Sequence, residues 1–270
     1  MTYQFVTLEP AALELRRSRL DLAGFHAWLC PIVILVAIYI SRQLLAPSGT
    51  RQELNASKRV SQRPSRLRLL PPSISRILST TFIPEFGPLH VQLLGLTYSA
   101  WLLYLVFRGT GNDYLHLTKS FGHVAISQLP LQYLLSLKSP RSPVTLATGL
   151  TYERLNAYHR LLGRIVHLLL TAHATLYLRF FVLADLLGKR IKDRDVRLGL
   201  VAFWSFHVLA LLALPPFRKF YRQLFYRSHV VISALVIPIL FFHVSYTRLY
   251  VLQAGVFWIL SCYTRRASRW

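Results

Sequence analysis

Long stretches without a charged residue constrain this chain more than any other feature of its sequence. The uncharged stretches are 22–41, 86–107, 120–137, 198–217, 228–247 and 249–264. A helix that crosses a lipid bilayer needs about 20 predominantly apolar residues. A further apolar stretch, 155–184, is interrupted only by arginines. We therefore predict an all-α, multi-pass membrane helical bundle of seven spans, which excludes a large soluble catalytic domain and a disulfide-rich secreted scaffold.

Basic residues dominate the charged minority of the chain. Charged side chains make up 16% of the sequence and hydrophobic ones 53%, whereas an average soluble domain is about 25% charged. The formal net charge of +22 arises from 32 Lys and Arg against 10 Asp and Glu. Because these basic residues lie between the apolar stretches, they indicate membrane topology and contact with membrane lipid, and we expect no nucleic-acid partner.

The distribution of Lys and Arg predicts the orientation of the chain. Loops that face the cytosol carry an excess of Lys and Arg, and here the excess lies on the side of the C-terminus. We therefore expect the N-terminus outside and the C-terminus in the cytosol, in the plasma membrane. The glycosylation sequon at Asn55 then falls on the cytosolic side, so its use stays open. Cys30 and Cys262 fall near opposite surfaces, and we expect no disulfide between them.

The sequence divides into four segments. Residues 1–46 hold an N-terminal lead and the first span, and 47–85 form a basic, proline-rich linker that we expect to be cytosolic and mostly irregular. Residues 86–264 hold the remaining six spans, which we expect to form the functional core. Residues 265–270 are a short C-terminal tail.

Two pairs of histidines with equal spacing carry the functional signal. His159 and His173 lie 14 residues apart in one predicted span, and His229 and His243 lie 14 apart in another. This spacing is nearly four full helical turns, so both members face one side, about 21 Å apart along the axis. That distance is too long for one metal ion but suits two centres stacked across a bilayer about 30 Å thick. Since haem iron takes axial ligands on both faces, the pattern predicts two haem b groups, each held by one histidine from each helix.

Small residues one turn after the first histidine of each pair fit the same hypothesis. Gly163 follows His159 by four positions, and Ser233 follows His229 by four. Their small side chains leave room for a flat macrocycle beside the imidazole. We therefore include Gly163 and Ser233 among the predicted haem-binding residues.

Other polar residues in the spans have more ordinary interpretations. His167 lies about 80° away from the ligand face of its helix, and His116, His123 and His207 are expected to be packed or interfacial. Arg164 points about 140° away from the ligands. We expect its long side chain to extend toward the inner membrane surface, with contact to a haem propionate as an alternative.

Three segments around the paired histidines resemble the ferric reductase and NADPH oxidase transmembrane superfamily. The segments are 122–131 (GHVAISQLPL), 152–164 (YERLNAYHRLLGR) and 218–225 (RKFYRQLF), the last of which leads into His229. The likeness covers residues 115–263. One span ahead of a six-helix core is similar to the fungal ferric reductase branch.

The resemblance implies an activity and a set of cofactors. Members of this superfamily carry electrons from cytosolic NADPH through FAD and two haems to an outer acceptor such as a ferric chelate or oxygen. Their flavin and nucleotide domains would follow the last span, whereas this sequence stops at Trp270. We therefore expect a ferric-chelate-reductase-like oxidoreductase for which FAD and NADPH act only through a separate cytosolic flavoprotein.

Three alternatives remain open at the level of sequence. The outer haem could pass electrons to oxygen and produce superoxide. The chain could be a non-catalytic partner of a full-length reductase. A cofactor-free transporter or receptor with seven spans is the third alternative, although it has no need of the doubled histidine spacing.

Overall fold

The computed structural model of the protein describes residues 3–6, 8–45 and 72–267. The helices are α1 (Pro10–Leu44), α2 (Pro72–Ser79), α3 (Leu89–Phe107), α4 (Tyr114–Ser127), α5 (Leu129–Leu134), α6 (Pro143–Thr148), α7 (Tyr152–Leu183), α8 (Leu187–Arg190), α9 (Arg194–Leu212), α10 (Pro215–Phe220), α11 (Arg222–His243) and α12 (Arg248–Ala267). Of these described helices, α1, α3, α7, α9 and α11 are long and apolar enough to cross a membrane. The prediction of an all-α, multi-pass membrane protein is thereby confirmed. The joined helices α4 and α5, and helix α12, occupy the positions of the other two predicted spans.

Two predicted spans have different boundaries in the structure. Helix α1 starts at Pro10, well before the uncharged stretch 22–41. Proline fits the first turn of a helix, and no helix-breaking residue separates the charged lead from the apolar stretch. The predicted span 120–137 is divided at Gln128 into α4 and α5. Pro130 explains the break, because it has no amide hydrogen to donate to the preceding turn.

Part of the segment predicted as an irregular linker is folded. Residues 46–71, with the sequon at Asn55, lie outside the described residues. From residue 72 onward the segment forms α2 and a 3₁₀ turn at Pro84–Phe86. The backbone amide of Leu89 donates to the Thr80 carbonyl at 2.7 Å, which brings α2 back against the start of α3.

The long helices alternate in direction, so each end of the bundle can be identified by its contacts. At one end, called here the Asp113 end, Arg16 near the start of α1 forms an ion pair with Asp113 before α4, at 2.9 Å. At the opposite end, called the Arg42 end, Arg42 near the end of α1 donates to the Leu146 carbonyl of α6 at 2.9 Å. Helix α7 starts at the Arg42 end and finishes at the Asp113 end, where the Tyr114 hydroxyl donates to the Leu176 carbonyl at 3.0 Å.

Gln128, at the junction of α4 and α5, connects three helices in the interior. Its side chain is fully buried. The side-chain amide nitrogen donates to the Ala27 carbonyl of α1 at 2.9 Å, and the side-chain oxygen accepts from the Tyr98 hydroxyl of α3. A buried amide is stable only when its polar atoms are hydrogen-bonded. These bonds therefore hold α1 and α3 against the junction of α4 and α5.

Candidate functional site

The four paired histidines lie on two helices, α7 and α11, that run in the same direction. His159 and His229 face each other near the Arg42 end, with ring centroids 6.4 Å apart. His173 and His243 lie nearer the Asp113 end, where the Tyr114 hydroxyl contacts the Leu176 carbonyl of α7 and the Arg17 guanidinium lies over the ring of Tyr246, which follows α11. The first histidine of one helix therefore faces the first of the other, and the second histidines of both helices lie toward the same end of the bundle. Helix α9 lies between them in sequence and packs against both α7 and α11.

Three of the four imidazoles share one feature: the Nδ1 atom lies at hydrogen-bond distance from a backbone carbonyl oxygen on another helix. The bonds join His159 to Gln132 (3.0 Å), His173 to Thr118 (2.8 Å) and His243 to Asp195 (2.8 Å). A carbonyl oxygen only accepts, so Nδ1 must carry the hydrogen and donate it. The lone pair of each neutral ring is then on Nε2, the atom that a metal would bind.

Two glycines make the close approach of the Asp113-end histidines possible. A Cβ atom built on Gly122 of α4 would lie 2.6 Å from Nδ1 of His173, and one on Gly199 of α9 would lie 2.8 Å from Cε1 of His243. Real Cβ atoms do not occur at such distances. Neither glycine belonged to the predicted site, because single glycines inside apolar stretches carry no distinctive spacing.

Gly163 and Ser233, predicted to make room for a macrocycle, lie near the histidine pair at the Arg42 end. A Cβ atom on Gly163 would lie 2.9 Å from the side-chain nitrogen of Gln132. That same nitrogen is 3.5 Å from Nε2 of His159. The Ser233 hydroxyl donates to the His229 carbonyl within α11 at 2.6 Å. Both residues are therefore adjacent to the imidazoles, and their role toward a haem stays a prediction.

The other histidines form separate contacts. His167 of α7 and His207 of α9 stack edge to face with ring centroids 4.6 Å apart. The Nδ1 atom of His207 is 2.9 Å from the carbonyl of Phe203, one turn earlier in its own helix. His123 has its Nε2 atom 3.6 Å from a carboxylate oxygen of Asp21. Sequence alone did not predict the His167–His207 contact, because it joins two helices whose relative rotation only packing determines.

Arg164 lies in a cluster of arginines around Glu85 at the Arg42 end. The Glu85 carboxylate is 3.6 Å from the Arg164 guanidinium and 3.2 Å from that of Arg218. Arg160 donates to the Glu85 backbone carbonyl at 2.8 Å. Arg164 also donates to the Ala210 carbonyl of α9 at 3.4 Å. Its long side chain therefore connects several elements at one surface, and contact with a propionate stays a prediction.

The separation of His159 and His229 fits a group that needs two axial nitrogens. Two imidazoles that share one metal through Nε2, at about 2 Å each, have ring centroids about 6 Å apart. The observed 6.4 Å between His159 and His229 agrees with this separation. In the described part of the chain, no cluster of three or more His, Cys, Asp or Glu could hold a metal with protein ligands alone. Haem needs only the two axial ligands from the protein, because the porphyrin supplies the others.

Comparison with known proteins finds similarity to ferric reductases and metalloreductases over part of the chain. Residues 121–240 match the family described as "Ferric reductase like transmembrane component". A "Probable ferric reductase transmembrane component" from Eremothecium gossypii is 34% identical over 119 residues, which cover 44% of this chain and 16% of that protein. Two proteins named "Probable metalloreductase AIM14" are each 28% identical. The one from Candida dubliniensis matches over 55% of this chain and 28% of its own length, and the one from Yarrowia lipolytica over 78% and 34%.

The similarity covers only a part of each relative's length. The chain spans between 16% and 34% of the length of these curated relatives. No solved structure matches the chain. The matched region contains His159, His173 and His229, while His243 lies just beyond it. Over residues 121–240 the chain is similar to ferric reductase like transmembrane components, which confirms the family resemblance that its histidine helices indicated.

Proposed function

We propose that this chain carries electrons across a membrane through two haem b groups and delivers them to a one-electron acceptor such as a ferric chelate. His159 and His229 hold one haem, and His173 and His243 hold the other. When bound, each haem would supply an iron that accepts and releases one electron. The names of the relatives, ferric reductase and metalloreductase, support a reductase-like role.

The observation that carries this proposal is the orientation of the imidazoles. Nδ1 of His159, His173 and His243 donates to a backbone carbonyl in each case. A metal-binding histidine nearly always donates its other ring N–H in this way, because the bond fixes the tautomer and the plane of the ring. A histidine that only filled interhelical space would have no need of a fixed tautomer that leaves the lone pair on Nε2.

The side chains between the two histidine levels keep water away from the route. Val166 of α7 and Val236 and Leu240 of α11 are buried in one apolar cluster. An apolar, water-free interior lowers the local dielectric and separates the two redox centres from bulk solvent. The two levels are about 21 Å apart along the helices, so two centres together span most of a bilayer about 30 Å thick.

In this proposal the Asp113 end faces the outside and the Arg42 end faces the cytosol, in the plasma membrane. The basic residues clustered at the Arg42 end, Arg160, Arg164 and Arg218, agree with a cytosolic location. Electrons then enter at the His159–His229 level from a flavin reduced by NADPH, held by a cytosolic flavoprotein. They leave at the His173–His243 level.

A haem measurement tests the proposal directly. The chain, expressed with ample haem and purified in detergent, should contain close to two haem b per polypeptide. Dithionite should produce the sharp absorbance bands of a reduced b-type haem with two imidazole ligands. A folded, helical preparation that contains no haem would rule the proposal out.

A further inference from the structure

A small cavity opens at the Asp113 end between α1, α4 and the residues before α12. Its volume is about 80 Å³. The cavity is lined by Arg16, Arg17 and Asp21 of α1, by Lys119 and His123 of α4 and by Tyr246. It belongs neither to the paired histidines nor to the arginine cluster around Glu85.

The cavity carries more positive than negative charge. Arg16 is paired with Asp113 at 2.9 Å, and its side chain is only 5% exposed. The Nε atom of Arg16 is nevertheless buried without a hydrogen-bond partner among the described residues. A buried donor without a partner is costly, and an anion or water in the cavity would satisfy it.

The other two cations, Arg17 and Lys119, form no ion pair with an acid in the part of the chain that the structure describes. The Arg17 guanidinium lies over the Tyr246 ring, 5.7 Å from its centroid. Lys119 is exposed, and within the described ranges its ammonium makes neither a hydrogen bond nor an ion pair. The carboxylate that lines the cavity, Asp21, lies 3.6 Å from His123 and is 62% exposed. The three basic side chains therefore outnumber the acid that faces them.

The cavity lies against a different face of α4 from the face that contacts His173. Lys119 lines the cavity, and its neighbour Thr118 supplies the carbonyl that accepts from Nδ1 of His173 at 2.8 Å. His123 also lines the cavity, and its neighbour Gly122 is packed against the ring of His173. A helix with its side chains is about 10 Å wide. A molecule in the cavity would thus lie roughly that distance from the His173 imidazole.

We propose that this cavity is the docking site for the electron acceptor, and that it selects anionic chelates of ferric iron over neutral or cationic acceptors. The inference rests on the proposed function. In the proposed function, a haem held by His173 and His243 would supply one electron to the docked chelate, and the Fe(III) of the chelate would become Fe(II) as the haem iron changed from ferrous to ferric. Arg17 and Lys119, together with the Nε atom of Arg16, hold a carboxylate arm of the chelate, and the excess positive charge raises the local concentration of anions.

A redox-inert analogue tests the site without requiring electron transfer. Gallium(III) citrate resembles ferric citrate in charge and shape but does not accept an electron from haem. Its binding to the purified protein in detergent should be measured by calorimetry for wild type, Lys119→Gln and Arg17→Gln. We expect Kd to rise about five- to tenfold in each variant, since each removes one charged partner of the anion. Lys189→Gln, a change of an exposed lysine on α8, is the matched control and should change Kd less than about twofold.

Kinetics of haem reoxidation provide the second readout. Dithionite-reduced protein, freed of excess reductant, should be reoxidised more slowly by ferric citrate in Lys119→Gln and Arg17→Gln than in wild type. Reoxidation by hexaammineruthenium(III), a cation, should be unchanged or faster in the same variants. Higher salt should reduce the difference in reoxidation rate by ferric citrate between the variants and wild type, because salt screens exposed charges.

The outcomes separate this inference from the proposed function. If Lys119→Gln, Arg17→Gln and the control Lys189→Gln weaken the binding of gallium citrate equally, or if none of them weakens it, the acceptor site is overturned. The haem proposal then stays intact. Binding of gallium citrate that depends on Lys119 and Arg17, in a chain that holds no haem, supports the anion site and overturns the electron-transfer function. If only Lys119→Gln and Arg17→Gln weaken gallium citrate binding and slow the reoxidation of haem by ferric citrate, the acceptor site and the electron-transfer function are both supported.

Discussion

Three of the paired imidazoles are held by backbone carbonyls from three different helices, at Gln132, Thr118 and Asp195. A side-chain partner could be lost by mutation, but a backbone carbonyl cannot. The orientation of each ring is therefore a property of helix packing. Bonds of this kind fix the ring plane and tautomer, and their loss lowers metal affinity about 10- to 100-fold in metal sites generally.

Replacing the paired histidines one at a time should remove one haem at a time. His173→Ala or His243→Ala removes a proposed axial ligand at the Asp113 end, while the proposed ligands of the other level are about 21 Å away. His159→Ala or His229→Ala should do the reverse. Haem per polypeptide, measured in each purified variant, should fall from close to two toward one.

His167→Ala is the control for this series, because it lies on α7 between the ligands but faces His207. It should retain both haems. Loss of haem in His167→Ala, together with retention in His173→Ala, would show that the ligands have been assigned to the wrong face of the helix.

Gly122→Ala should weaken the haem level at the Asp113 end. The added Cβ would fall 2.6 Å from Nδ1 of His173, so the ring must rotate or the helices must separate, at a cost of about 1–3 kcal/mol. We expect a partial loss of one haem, visible in the haem-to-protein ratio and in the reduced spectrum. Gly188→Ala is the matched control, since nothing lies within 4 Å of its added atom. Equal haem loss in both variants would contradict the packing argument.

At the scale of elements, the contacts of α1 decide how the first helix joins the core. Its starting turns are tied to the loop before α4 by the buried ion pair of Arg16 and Asp113. Its middle is tied to the α4–α5 junction by Gln128. The indole nitrogen of Trp28 donates to the Gln253 side chain of α12 at 2.8 Å. Helix α1 is thus part of the bundle at several levels.

Gln128→Ala should destabilise the junction of α1, α3 and α4. It leaves the Ala27 carbonyl and the Tyr98 hydroxyl without their buried partner, which costs about 1–3 kcal/mol. The melting temperature in detergent, followed by circular dichroism, should fall by several degrees. Gln223→Ala, at an exposed position of α11, should leave it nearly unchanged. A variant as stable as wild type would show that the buried amide contributes little.

At the scale of the whole molecule, the alternating helices place the starts of α1 and α9 and the ends of α7 and α11 at one surface. We predict that this Asp113 end is outside the cell, because the opposite side carries more Lys and Arg. An epitope tag at the N-terminus should be accessible to antibody on intact cells, whereas a tag at the C-terminus should require permeabilisation. The reverse pattern would invert the direction of electron flow in the proposed function.

Much of the architecture could be predicted from local sequence. Where the predicted helix boundaries were wrong, the cause is also local. Uncharged stretches of sufficient length predicted the helices, because an unpaired peptide group in lipid is too costly for any other backbone. The boundaries were less well predicted. Charged residues can continue a helix beyond the membrane, as in α1 from Pro10, and a proline can divide one apolar stretch, as Pro130 divides α4 from α5.

What the sequence determined by itself was the spacing of the paired histidines, because helical periodicity alone places both members of a pair on one face. The distance between His159 and His229, the carbonyls that orient the rings and the glycines that admit them depend on how helices rotate and approach one another. So does the basic cavity formed by Arg17 and Lys119, which are far apart in sequence. Only the tertiary structure decided these features, since the contacts that set helix rotation are made by many weak packing interactions and not by any local pattern.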